Sequence, residues 1–129
     1  AVFQYMIGNT DWAVHNLHNL KLIWVPDREN PIVVPYDFDL SGFVHTDYAI
    51  PNERLPINSV TERLYLGPRC TQSEVAAVLK DFRRLVPEFQ RHCTSLEQLR
   101  KSIRSKMDRY LSGFFEKLND PAFAEQLIK

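Results

Sequence analysis

Five side chains in the first third of this 129-residue chain could do chemistry together: the carboxylates of Asp11, Asp37 and Asp39 and the amides of Asn16 and Asn19. All offer hard oxygen donors, which suit Mg²⁺, Mn²⁺ or Ca²⁺. Zinc is a poorer match. Its preferred ligands would have to come from His15 and His18, an i, i+3 pair in a loop, and that spacing is weak evidence for a zinc site. Each Asp or Asn alone is equally a turn former, able to close a loop with no other role. Their placement around one predicted hairpin is what lifts the set above turn chemistry.

Leu20 to Val25 (LKLIWV) alternates, with Leu20, Leu22 and Trp24 on one face and Lys21 on the other. Pro26-Asp27-Arg28-Glu29-Asn30 is a turn cluster, and the β-branched run Ile32-Val33-Val34 is the return strand. Antiparallel strands bring their entrance and exit together. Asn19 at the entrance and Asp37 at the exit are therefore expected to be neighbours. Ahead of this, Ala1 to Ile7 reads as the last turns of a buried helix, ended by Gly8-Asn9. A polar loop over 10–19 then leads into the first strand.

After Asp37-Phe38-Asp39-Leu40-Ser41-Gly42 the pattern changes. Residues 43–69 are irregular and broken by Pro51, Pro56 and Pro68. Residues 70–129 read as helical. Thr71-Gln72-Ser73-Glu74 is a capping box opening a helix with an apolar stripe through Val75, Val78, Leu79, Phe82 and Leu85, and Pro87 is expected to end it. Thr94 or Ser95 is expected to cap a second helix, with Leu96, Leu99, Ile103, Met107, Leu111 and Phe114 on its core face. Asn119-Asp120-Pro121 marks a stop, a cap and a proline at the first position of a third helix. The expected fold class is α+β: a helix end and a β-hairpin followed by an all-α part, with segments 1–42, 43–69 and 70–129 in one domain.

Composition narrows the functions further. An apolar fraction of 44% is enough for a core. Lys plus Arg and Asp plus Glu are both 16, so the balance supplies no electrostatic reason for a nucleic-acid partner. The cations between 80 and 109, such as Lys80, Arg84 and Lys101, read as a solvated helix face. No apolar run approaches a membrane span. The opening AVFQYMIGNTDW lacks the basic region of a signal peptide and reads like the interior of a fold, so a fragment of a longer protein is expected. Cys70 and Cys93 form no C-x-x-C pair and leave the redox compartment open.

The order of these motifs carries a family resemblance over roughly residues 3–42. A loop Asp, an Asn a few residues later, a strand, a turn, a second strand and then Asp-Phe resemble the C-terminal lobe of the protein-kinase-like superfamily. Asp11 and Asn16 have the D-x-x-x-x-N spacing of a kinase catalytic loop, and Asp37-Phe38 stands where Asp-Phe-Gly would stand. The wording GNTDW…HN…PYDFDLSG is similar to atypical members, the spore-coat CotH-type and the HipA-type kinases, and to uncharacterised bacterial proteins with the same GNTDW and PYDFD phrases. The resemblance implies that Asp11 orients or deprotonates a hydroxyl, that Asn16 or Asn19 and Asp37 bind the metal–nucleotide, and that Mg²⁺ or Mn²⁺ and ATP are the cofactors. Counting forward from Asp11 favours Asn16 as metal ligand; counting back from the strand favours Asn19, and Asn19 is the expected ligand because the metal-binding Asn should sit at the strand entrance. Asp39 replaces the usual glycine and would be a second carboxylate ligand. No Gly-rich loop or strand Lys with a helix Glu partner is recognisable, so the chain reads as a partial lobe. A partner domain or chain would supply the rest, and the acceptor is unknown.

Two other readings compete. Val33-Val34-Pro35-Tyr36-Asp37-Phe38-Asp39-Leu40-Ser41 resembles the strand and D-x-D-x-[ST] motif of haloacid-dehalogenase-type phosphatases, a fold that needs further parallel strands. Alternatively, the helices form a non-catalytic interaction module, with the acidic loops as structural turns.

Overall fold

A computed structural model describes residues 1–128. Its elements are α1 (Val2–Ile7), β1 (Leu20–Ile23), β2 (Ile32–Pro35), α2 (Gln72–Ser95), α3 (Lys101–Lys117) and α4 (Pro121–Leu127). The fold is α+β, with four helices and one two-stranded antiparallel sheet among the described residues. The chain divides into two compact units. One comprises Ala1–Met6 and the chain from Tyr65 onward; the other is Ile7–Leu64. No helix among the described residues is long and apolar enough to cross a membrane.

The helical unit is organised by aromatic rings. Phe114 on α3 is fully buried. It meets Phe82 of α2 edge-on at 5.8 Å, Phe123 of α4 at 6.0 Å and Tyr5 of α1 at 6.1 Å. Edge-to-face packing of this kind adds to the apolar burial that drives the helices together. The predicted capping box is present: Thr71 Oγ1 accepts from the Glu74 amide, and the Glu74 carboxylate accepts from the Thr71 amide. Asp120 caps α4 by accepting from the Ala122 amide, with Pro121 at the first helical position as expected.

Three expectations fail here. Pro87 does not end α2, which runs on to Ser95. Packing outweighs the missing amide: Phe89, beyond the proline, stacks on Phe82 at 6.1 Å and on Phe115 of α3 at 6.2 Å, and Cys93 is buried. Consequently Thr94 and Ser95 are not the cap of the next helix. Their hydroxyls turn back onto the carbonyls of α2, and α3 starts after Arg100 with no side-chain cap. Leu96 and Leu99 thus precede α3, and Ile103 is exposed rather than core. The cationic run between 80 and 109 is exposed as expected, apart from the half-buried Arg104, and two of its members also bond helix ends. Arg83 donates to the Leu118 carbonyl and to Asn119 Oδ1 just past the end of α3, and Arg104 donates to the Thr94 carbonyl at 2.9 Å near the end of α2. Both satisfy carbonyls that a helix end leaves without partners. Cys70 and Cys93 are free thiols, and burial pushes the Cys93 thiol above its ordinary range, with the nearby Asp108 adding to the effect.

In the second unit the hairpin forms in the register Leu20↔Pro35 through Ile23↔Ile32, so β1 stops short of Trp24 and Val25. Only Leu20 of β1 is buried; Leu22, Ile23, Val33 and Trp24 are exposed, the last at 69%. The alternation expected from the sequence therefore does not mark a buried face. What holds the unit together is the loop network at the open end of the hairpin.

Candidate functional site

The site begins with a helix end. Gly8 sits at φ 63°, a left-handed conformation that closes α1 without a Cβ penalty. The carbonyls of Ile7 and Gly8 are then taken by the amides of Phe43 and Gly42, at 3.0 and 3.1 Å. This pins the far end of the Asp37–Gly42 loop beside the start of the Asn9–Asn19 loop. Asn9, almost fully buried, accepts the Asp11 amide on its side-chain oxygen at 2.9 Å. That Asx turn aims Asp11 outward. On the other side, Ser41 is fully buried; its amide bonds the Phe38 carbonyl, its hydroxyl accepts the Val44 amide and its carbonyl accepts the His45 amide. The words GN and SG in the sequence are thus the anchors of the two loops that carry the acidic residues.

Between them, Ala13 and His18 form an antiparallel bridge that folds the loop back on itself. His18 Nε2 lies 2.9 Å from Asp11 Oδ1, and the carboxylate requires the imidazole to donate. Asn19 is buried, and its Nδ2 donates both to Asp11 Oδ2 at 2.9 Å and to the Asp11 carbonyl at 2.8 Å. An oxygen in that place would face two acceptors, so the amide orientation is chemically determined and Oδ1 is the atom left for another partner. Asn16 does something different. Its Oδ1 accepts the His18 amide at 3.2 Å in an exposed turn. The structure brings Asn19, not Asn16, onto Asp11.

Asp37 and Asp39 meet at the hairpin exit. The Asp37 carboxyl is held above the usual carboxylate range, first by a hydrogen bond with the Asp39 side chain and then by the repulsion of that neighbouring charge. The Asp11 charge adds to this and the His18 charge opposes it. Two neighbouring carboxylates are a pair of hard donors whose mutual repulsion a cation would relieve. Asp39 is also gripped from the following loop: Tyr48 Oη donates to its Oδ2 and Thr46 Oγ1 to its carbonyl, both at 3.0 Å.

Two of the five non-glycine residues with positive φ among the described residues belong to the site. Asn19 and Asp37 flank the hairpin and both occupy the left-handed region, at φ 53° and 58°, while the Tyr36 amide bonds the Asn19 carbonyl between them. Asn and Asp bear that conformation better than other residues with a Cβ, and the conformation costs on the order of 1–2 kcal/mol. Trp12 is buried, and Phe38 is half-buried. Tyr36 is exposed, with Lys21 Nζ 5.4 Å from its ring centre. His15 remains an exposed loop histidine. His18, the other member of the i, i+3 pair, is bonded to Asp11. Tyr48 and Thr46 went unread because their link to Asp39 crosses a loop with no periodicity. The one available hint was two hydroxyl residues close behind an acidic motif.

The donor set fits Mg²⁺ or Mn²⁺: the carboxyls of Asp37 and Asp39 and the free Oδ1 of Asn19 are all hard oxygens. Among the described residues no group of three or more His, Cys, Asp or Glu is arranged as a metal cage. An ion held by one or two carboxylates together with substrate phosphates and water needs no such cage. The parallel strands that a dehalogenase-type phosphatase requires are not among the described elements. Comparison of the chain with family models, with curated proteins and with solved structures returns no match.

Proposed function

We propose that this protein is an atypical kinase-like phosphotransferase, binding ATP with Mg²⁺ or Mn²⁺ and passing a phosphoryl or nucleotidyl group to an acceptor of unknown class. The observation that carries the reading is one of order and place. Asp11, Asn19 and the Asp37-x-Asp39 pair, in that chain order, converge at the open end of one hairpin. In this reading Asn19 Oδ1, Asp37 and Asp39 hold the ion. The chemistry a bound ion would supply is neutralisation of phosphate charge.

Asp11 serves as the hydroxyl-orienting group or general base. Both its oxygens already accept one donor, from His18 and from Asn19. Each carboxylate oxygen has a second acceptor site, so an acceptor hydroxyl can still bond there. The two existing bonds hold the carboxylate in one orientation, which is what positioning a nucleophile requires. The elements that would cover the far side of the nucleotide belong to another domain or chain in this reading.

The test is metal-dependent ATP binding and turnover by the full-length protein and by Asp37→Asn. Asn is chosen because it tolerates the left-handed backbone at this position. We expect the substitution to lower Mn²⁺-dependent ATP affinity by about tenfold or more, the loss of roughly one charge-assisted contact. Turnover that survives Asp37→Asn unchanged would show the assignment to be wrong. A second reading, a non-catalytic interaction module, is favoured by the exposed apolar hairpin at Ile23, Trp24 and Val33. It predicts no metal-dependent ATP binding at all.

A further inference from the structure

We propose that β1 is an open sheet edge on which a second copy of this chain pairs, β1 against β1 and antiparallel, about a two-fold axis at Ile23. This surface is independent of the phosphotransferase reading. The Tyr36 amide bonds the Asn19 carbonyl, so residues 19 and 36 form a hydrogen-bonded pair of the ribbon. Such pairs alternate with non-bonded ones along antiparallel strands. In the observed register the bonded pairs are therefore Lys21↔Val34 and Ile23↔Ile32, while Leu20, Leu22, Val33 and Pro35 turn their backbone groups outward. The two outer edges then differ. Along β2 the outward positions are Pro31, Val33 and Pro35, and the two prolines have no N–H to offer. Along β1 they are Leu20, Leu22 and Trp24. The Leu20 amide is already bonded to the Leu17 carbonyl, and Pro26 closes the run at the other end. Leu22 and Trp24 keep outward N–H groups that have no partner among the described residues.

An unpaired edge is a template for another strand, and chains blunt it with proline or charge. Here only β2 is blunted. A second β1 laid antiparallel, with Leu22 facing Trp24 of the other copy, exchanges both backbone bonds at each of these two pairs and puts Ile23 opposite its own counterpart. The product is a four-stranded sheet whose outer edges are both proline-blocked β2 strands, so association stops at two copies. The side chains agree with this pairing. Leu22, Ile23, Trp24, Val25 and Val33 are exposed by 38%, 49%, 69%, 38% and 53%. Together they present roughly 500 Å² of apolar surface, a patch of the size that marks an interaction site. Two copies meeting there bury up to about 1,000 Å², the lower end for a specific interface, so the dimer is a weak one. Charge fits as well. Lys21 comes opposite Val25 of the other copy, beside the hairpin tip that carries Asp27 and Glu29, and none of these three charges has an ion-pair partner among the described residues.

The experiment is sedimentation velocity of the full-length protein from about 5 to about 200 μM, a range over which a small interface passes from monomer to dimer. It is paired with mild oxidation of Ile23→Cys and Val33→Cys on non-reducing gels, with the wild type and its own free thiols, Cys70 and Cys93, alongside. The wild type is expected to double its mass across the range. Trp24→Lys puts a charge on the open edge at an exposed position and should raise the dimer dissociation constant by about tenfold or more. Ile23→Cys should cross-link two copies, since residues opposite one another in a non-bonded pair have Cα atoms about 4.5 Å apart, within reach of a disulfide. Val33→Cys is similarly exposed but lies on the blocked edge, and should remain as unlinked as the wild type. A wild type that stays monomeric at the highest concentration would overturn the proposal. So would a dimer in which Ile23→Cys stays unlinked, or one in which both cysteines link equally.

Discussion

Asn19 and Asn16 are the same residue type three positions apart in the same loop, and the structure gives them opposite tasks. Asn19 is buried against Asp11 with its oxygen unused by that contact; Asn16 closes an exposed turn on the His18 amide. Substituting each by Ala should therefore separate them. Asn19→Ala removes two hydrogen bonds from Asp11 and a proposed ligand, and is expected to lower Mn²⁺–ATP affinity by about tenfold or more. Asn16→Ala removes one exposed bond and should change the affinity by less than about threefold. Isothermal titration of both variants reads the difference. Since Ala at φ 53° is strained, Asn19→Gly serves as a control that relieves the backbone and still lacks the ligand.

At the scale of elements, α2 is the instructive case. A proline inside a helix removes one hydrogen bond and clashes with the preceding turn, at a cost near 3 kcal/mol in an exposed helix. Yet α2 continues through Pro87, because the turns beyond it carry Phe89 and Cys93 into the contact with α3 and because Arg104 takes a carbonyl near its end. Packing has absorbed the local penalty, which should reappear as a gain when the proline is removed. Pro87→Ala is expected to raise unfolding stability by about 1–3 kcal/mol, measured by urea denaturation. No change would mean that the helix is already relieved by a bend at this point. The hairpin shows the opposite balance. Its strands pair as their β-branched residues predict, but they bury little, and a two-stranded ribbon is marginal alone. Its open end is secured by loops, and those loops are the ones carrying Asp11, Asp37 and Asp39.

Across the whole molecule, stability and proposed chemistry reside in different compact units. The aromatic cluster of the helical unit centres on Phe114, which touches rings from α1, α2 and α4. Phe114→Ala should destabilise that unit by about 3–5 kcal/mol through lost burial and a residual cavity. Thermal unfolding followed by near-ultraviolet circular dichroism tests this, and a loss below about 1 kcal/mol would mean that the rings are not a shared core. No side chain of the acidic cluster lies in that unit, since residues 7–64 hold all of it.

How far the chain could be read without its tertiary structure follows from the range of each interaction. Local signals were sufficient for the Gly8 helix end, the Thr71–Glu74 capping box, the Asp120-Pro121 start and the hairpin, because each depends on residues within a few positions of one another. Hairpin geometry also put Asn19 and Asp37 at one end, since antiparallel pairing follows from the strands themselves. Tertiary contacts decided the rest. The passage of α2 through Pro87, the use of Arg83 and Arg104 on helix-end carbonyls, and the assignment of Asn19 rather than Asn16 to Asp11 all depend on groups that meet only after the chain has folded. The same holds for Tyr48 on Asp39. A hydroxyl reaching across an aperiodic loop leaves no spacing to read, and its partner is chosen by how Ser41, Gly42 and Phe43 anchor that loop to the end of α1.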